Sequence, residues 1–303
     1  MSEHRELRKY VGYGLSLESI ARLMARRFPD SAVVIIRPSA RVRDHPSLCL
    51  YSHFLPLDAW GCVEAGAYTL HPSHCASLHV SALLSSLCPH LMHDVADVSS
   101  RLRLTLVAYS KGVVVCNQLI AELATIHQSF RASDYTWDSD EIDAPVSELQ
   151  AAVRKLWRHV EIVHHVDGGN GMEVGAFPAL PSALMMTELA RLGVVGGAIE
   201  SSEKSASCVS TRVRLAVHGT PYQWSKRGHR IELQAFVQSM RAHAHAQLRR
   251  EVDPESSAYT VATGTAGTDH VHESVVLKSY FHDEPPSLRN HVRILREFDI
   301  GPC

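Results

Sequence analysis

The chain predicts an α/β fold built on a mainly parallel sheet, and three observations carry that prediction. Short apolar, β-branched runs alternate with segments whose apolar residues recur at helical spacing. The alternation continues through most of the chain, as when crossover helices join neighbouring strands. The runs are apolar at consecutive positions rather than every second one, which suits strands covered on both faces.

The elements follow in order. Ser16 to Phe28 reads as a helix capped by Ser16, with Leu17, Ile20, Ala21, Leu23 and Met24 on one side, and Pro29-Asp30-Ser31 ends it. Ala32 to Ile36 reads as a buried strand, and residues 38–70, with many Pro, His, Ser and Gly, as an irregular excursion. A helix is expected over Ala76–Leu91, a strand over Leu102–Ala108 and a helix over Gly112–Ile126. An acidic loop at 129–146 precedes a helix at Val146–Trp157 and a strand at Val160–Val166. A helix around Ser182–Leu192, a Ser-rich loop at 200–210 and a strand at Thr211–Val217 come next. The expected remainder is a helix from about Arg230 to Arg250, a Thr/Gly-rich loop at 259–269, a strand at Ser274–Tyr280 and a helix near His291–Phe298. No internal repeat or linker divides the 303 residues, so a single domain is expected over 1–303.

Composition narrows the function classes. A formal net charge of −2 with both signs interspersed gives no basic face for nucleic acid. The seven cysteines (Cys49, Cys62, Cys75, Cys88, Cys116, Cys208, Cys303) stand singly, which reads as free thiols in a reducing compartment. The first residues hold no apolar segment of signal type, and no run reaches the roughly 18 apolar residues of a membrane helix. A soluble intracellular protein is expected. The 20 histidines include the pairs His243/His245 and His270/His272, but none at zinc-peptidase spacing and none beside a cysteine pair. No metal and no cofactor are expected.

The chemistry concentrates at Ser110. In Leu104-Thr105-Leu106-Val107-Ala108-Tyr109-Ser110-Lys111-Gly112-Val113 a serine stands between a buried strand and an apolar helix, with small residues two before and two after it. That is the pattern of a nucleophile elbow, where a sharp strand-to-helix turn lifts the serine above the sheet. The Lys111 backbone N–H would then face a developing oxyanion. Lys111-Gly112 lacks the upstream glycine and the following hydroxyl of a phosphate-binding loop. An α/β-hydrolase-type sheet is the architecture that uses such an elbow.

A serine hydroxyl needs a histidine to take its proton, and the imidazole needs an acid to fix its tautomer. In this fold the acid and then the histidine follow the serine along the chain. Asp167, in a glycine-rich turn after the 160–166 strand, and Asp283, after the last strand, are the acidic candidates. Asp167 is preferred, because Gly168 and Gly169 let backbone approach closely. For the base, His282, His291 and His218 all stand after strands, and the residues alone do not separate them.

The stretches LVAYSKGVVVCNQLIAEL (106–123), HHVDGGNG (164–171), VHGTPYQW (217–224) and EPPSLRNHVRILREF (284–298) resemble an α/β-hydrolase-like family. Its type member is the human protein from open reading frame 69 of chromosome 2. The resemblance runs from about Leu15 to Phe298, with insertions near 127–146, 197–210 and 250–272. It implies a serine-hydrolase-like fold, a mitochondrial association in animals as an alternative to the cytoplasm, and family-type residues at Ser110, Asp167 and Asn290-His291. It thereby favours His291 over His282 as base. One departure stands out: family members carry, before the first helix, a strand ending in a Phe-Pro-Gly-Asp-like turn, a source of the second oxyanion donor. Here Tyr10-Val11-Gly12-Tyr13-Gly14-Leu15 leads into the helix with no apolar strand before it.

The functional expectation is a serine hydrolase of esterase or thioesterase type acting on a small-molecule acyl substrate. The competing expectation is a non-catalytic binding or scaffold protein that keeps the fold. A third reading is an acyltransferase using the same serine.

Overall fold

A computed structural model of the chain describes residues 16–42, 45–59, 61–63, 70, 74–91, 102–132, 148–169, 213–225, 231, 238 and 275–300. Helix α1 spans Leu17–Arg27, and the Ser16 hydroxyl accepts from the Ser19 N–H at its start, as the sequence requires of an N-cap. A small antiparallel pair follows, β1 (Ala40–Val42) and β2 (His45–Leu50). Helix α2 (Ala76–Leu91) leads to β3 (Leu104–Tyr109), one helical turn at Ser110–Gly112, and α3 (Val113–Ala132). Then come α4 (Glu148–Trp157), β4 (Val160–Val166), β5 (Arg214–Gly219), the short α5 (Pro221–Trp224), β6 (Val275–Ser279) and α6 (Leu288–Glu297).

The main sheet runs β3-β4-β5-β6 with every pair parallel. It alternates with helices in the α/β manner the sequence predicts and is consistent with an α/β-hydrolase-like fold. Successive side chains of a strand point to opposite faces, and the core divides accordingly. Ala108, Val163, Leu215 and Val217 join one cluster with Val113, Ile120, Leu123, Val153, Leu156 and Trp157 of α3 and α4. Val107, Tyr109 and Val166 turn to the second cluster, with Met24 of α1 and Ile294, Leu295 and Phe298 of α6 or just beyond it. Each face is therefore covered by helices, which is why the strands carry no polar alternation.

Because all four strands run the same way, their carboxyl ends share one edge. Ser110 follows β3, Asp167 follows β4, Thr220 follows β5 and Tyr280 follows β6. Open α/β sheets place their sites at that edge.

Two expectations need correction. Ala32–Ile36 is not a strand: it forms no ladder with any described strand, and Val34 (39% exposed) and Ile36 (41%) are not covered. A β-branched run favours an extended backbone but does not supply a neighbour to pair with. Conversely, the excursion over 38–70 contains the β1–β2 pair, held by Arg41↔Cys49 pairing and by the Ser39 N–H donating to the Leu50 carbonyl (2.9 Å). The 113–132 helix also runs into the insertion expected from 127. The helices expected near Ser182–Leu192 and Arg230–Arg250 and the insertions at 197–210 and 250–272 lie outside the described residues, save Ile231 and Gln238, which are helical. The stretch before the first helix, residues 1–15, lies outside them too.

Candidate active site

Ser110 leaves β3 with φ +53°, a left-handed conformation that side chains with a Cβ adopt at a cost of about 1 kcal/mol. Among the described non-glycine residues only Asp167 (φ +46°) and Phe281 (φ +56°) share it. All three sit just past the carboxyl ends of main-sheet strands. Each turns the chain abruptly, so that the side chain stands above the sheet edge rather than along it.

The elbow is not crowded at Gly112. Among the described residues a Cβ added there would meet only the Tyr51 hydroxyl, at an ordinary 3.8 Å. The tight approach comes instead from the other strand end. A Cβ on Gly168 would lie 2.8 Å from Val113 Cγ1, and one on Gly169 would run into the Gln223 amide at 2.8–3.1 Å. The Gly169 N–H also donates to the Ser110 carbonyl (3.3 Å), tying the β4 turn to the elbow.

Helix α6 brings the third group. Its N-cap Ser287 accepts from the Asn290 N–H (3.2 Å), and the Asn290 amide donates to the Pro285 carbonyl (3.1 Å). That anchoring sets His291 one turn into the helix. His291 Nδ1 lies 2.6 Å from Asp167 Oδ2, and its Nε2 lies 3.0 Å from Ser110 Oγ. Asp167 has no exposed surface and His291 only 4%. An ionised carboxylate can only accept, so Nδ1 donates to it. Nε2 is then left as the acceptor for the serine hydroxyl.

Two aromatic rings lie against the imidazole. Tyr109 stacks on it at 4.8 Å and 26°, and Tyr222 is tilted on it at 4.8 Å and 33°. The Tyr109 hydroxyl also donates to the His291 carbonyl at 3.0 Å. Burial, aided by the nearby Asp167 charge, raises the Tyr222 phenol above its ordinary range, so it stays neutral. No sequence signal marks Tyr109, and Tyr222 stands in the 217–224 stretch of the family resemblance, where the sequence offers it no chemical role beyond shaping the active face.

Lys111 opens the turn after Ser110, where helical N–H groups lack intrahelical acceptors. Its ammonium is directed away, 3.8 Å from Cys62 Sγ, and burial lowers its pKa. The other sequence candidates fall elsewhere. His282 is 73% exposed and pairs with the 90% exposed Asp283 at 3.1 Å. His218 is buried inside the sheet region, its Nε2 3.0 Å from His164 Nδ1 and its Nδ1 3.1 Å from the Tyr280 hydroxyl. Burial pushes His218 down to about 3, so it is neutral where a base of this kind works. Among the described residues no group of three or more His, Cys, Asp or Glu side chains gathers as metal ligands do, and no helix is long and apolar enough to cross a membrane.

Comparison with known proteins agrees with the resemblance seen in the sequence. Residues 1–101 match the model of the C2orf69 family. The chain is also 26% identical over 289 residues to a Danio rerio protein named mitochondrial protein C2orf69 homolog. The match takes in 93% of this chain and 64% of that protein, so the chain spans a little under two thirds of its relative's length. No solved structure matches it.

Proposed function

We propose that this chain, which belongs to the C2orf69 family, is a serine hydrolase of esterase or thioesterase type. One observation carries the reading: a left-handed Ser110 within 3.0 Å of His291 Nε2, with His291 Nδ1 2.6 Å from a buried Asp167. The separation and order of these groups are those required for proton removal from a hydroxyl nucleophile.

In the proposed cycle Ser110 Oγ attacks the acyl carbonyl carbon while His291 Nε2 takes its proton. Asp167 stabilises the imidazolium that forms. The oxyanion accepts from the Lys111 N–H, and a further donor there would be worth a hundredfold or more, on the order of 3 kcal/mol. His291 then protonates the leaving alcohol or thiol, and the acyl group remains on Ser110. Water, deprotonated by the same imidazole, releases the acid and restores the serine. The substrate is a small acyl ester or thioester. The Danio rerio relative is named as a mitochondrial protein, which supports the mitochondrion as the site of action.

The test is labelling of the purified full chain by a fluorophosphonate, beside Ser110→Ala. Covalent labelling that disappears in Ser110→Ala is the expected result. Absence of labelling in a demonstrably folded chain would overturn the proposal and leave a non-catalytic binding protein as the reading.

A further inference from the structure

We propose that Thr220 is the positioning residue of this site, orienting the Asp167 carboxylate that in turn holds His291. The inference rests on the Ser110–His291–Asp167 reading and adds a residue to it.

Local structure sets Thr220 in place. Strand β5 ends at Gly219, and Thr220 follows with extended angles (φ −120°, ψ 165°) as the N-cap of α5, with Pro221 in the first helical position. Its side-chain oxygen accepts from the Tyr222 N–H at 3.2 Å, the ordinary duty of a capping hydroxyl. That leaves the hydroxyl hydrogen to be placed, and a carboxylate stands beside it. Thr220 Oγ1 lies 2.8 Å from Asp167 Oδ2, and the Thr220 N–H donates to Asp167 Oδ1 at 2.7 Å. One fully buried residue therefore supplies a donor to each oxygen of the carboxylate.

The exchange is mutual. The Asp167 N–H donates to the His218 carbonyl, two residues before Thr220, at 2.7 Å. Asp167 is thus bound through its backbone and both oxygens to the end of β5, by contacts that do not involve the imidazole. Oδ2 accepts from both Thr220 and His291 Nδ1. Two donors on one oxygen match its two lone pairs. The same cap carries Tyr222 onto the imidazole face, so one helical turn steadies both acid and base.

The consequence has a sign. The Thr220 hydroxyl stabilises the anionic form of the Asp167–His291 pair, so removing it makes the pair easier to protonate. The acid limb of the reaction then moves to higher pH. Tyr109 of β3 and Tyr222 of α5 lie against the imidazole; burial raises the Tyr222 phenol, so Tyr222 does not supply the shift.

The experiment measures fluorophosphonate labelling rate against pH for the full chain and for Thr220→Val, Thr220→Ala and Thr220→Ser. The one-dimensional proton spectrum is recorded alongside, for the far-downfield His291 Nδ1 resonance, assigned by its loss in His291→Gln. Thr220→Val is expected to lower the rate about tenfold or more, to raise the pH of half-maximal rate and to move the resonance. Thr220→Ser should restore rate, pH profile and resonance. If Val misfolds, the Ser and Ala variants, which differ only in the hydroxyl, make the same comparison. Wild-type rate and profile in Val or Ala, or a Ser variant no better than Ala, overturns the role of Thr220. An unlabelled wild type whose resonance still responds to Thr220→Val defeats the hydrolase proposal and leaves the positioning intact; one whose resonance does not respond defeats both.

Discussion

Gly219 shows how a single residue can matter through space rather than through backbone freedom. Its φ is not in the left-handed region, so conformation alone would admit alanine there. The obstacle is Trp224: a Cβ at Gly219 would fall 1.8 Å from ring carbon Cε2 and about as close to Cζ2 and Nε1. An indole is rigid and cannot yield as the tip of a lysine could. Gly219→Ala must therefore push Trp224 away, and with it the α5 turn that carries Thr220 and Tyr222. The expected result is a loss of about 1–3 kcal/mol, read as a lower urea midpoint, with slower fluorophosphonate labelling of the fraction that remains folded. Unchanged stability would mean that α5 is not seated on Gly219. The sequence displays the Gly-Thr-Pro-Tyr-Gln-Trp run plainly, but not this packing, because the clash is set by the return of the α5 turn onto the strand end.

Among the elements, helix α2 depends on a neighbour for its start. The first N–H groups of a helix have no intrahelical acceptors, and here the cap comes from α3. Glu122, fully buried, accepts from the Ala76 and Ser77 N–H groups at 2.7 and 2.8 Å and from the Gln118 amide at 2.9 Å. Glu122→Ala should cost about 2–4 kcal/mol, since it strands two buried backbone donors and removes the acceptor of the Gln118 amide, while Glu122→Gln keeps one acceptor and should cost less. Equal urea midpoints for the two variants would exclude a capping role. No sequence pattern announces this cap, because donor and acceptor stand more than forty residues apart. What periodicity does report is local: α2 and β4 lie where it sets them, and Ser16 caps α1 as read. Pairing is not local, which is why Ala32–Ile36 looked like a strand and the β1–β2 pair did not. The proposed site divides in the same way. Ser110 stands out from its strand–turn–helix setting, whereas preferring His291 to His218 and His282 needs the family resemblance, and proposing Thr220 needs the fold.

For the whole molecule, the sheet encloses three histidines that folding keeps neutral. Burial, first among the causes in each case, pushes His164 and His165 down to about 4 and His218 to about 3, from an ordinary value near 6.5. They lie on β4 and β5 with 1% exposure each, and among the described residues neither ring nitrogen of His165 finds a hydrogen-bond partner. The unfolded chain takes up protons on these rings as pH falls below about 6.5, while the native chain does not until about 4 or 3. Native stability is therefore complete above about 6.5 and falls through the window down to those values, by about 1.4 kcal/mol per pH unit for each ring that titrates only when unfolded. Glu122 acts in the opposite sense: burial raises its carboxyl pKa, so just above the ordinary carboxylate range the native state binds the extra proton. Three rings against one carboxyl decide the direction. Urea midpoints should hold from pH 7.5 to about 6.5 and drop from there to pH 5. His165→Leu, which removes one ring without stranding a hydrogen-bond partner, should flatten that slope by about one proton's worth while leaving stability at pH 7.5 equal or higher. A midpoint independent of pH, or a His165→Leu slope as steep as the parent's, would show that the acid sensitivity of this fold does not originate in its buried histidines.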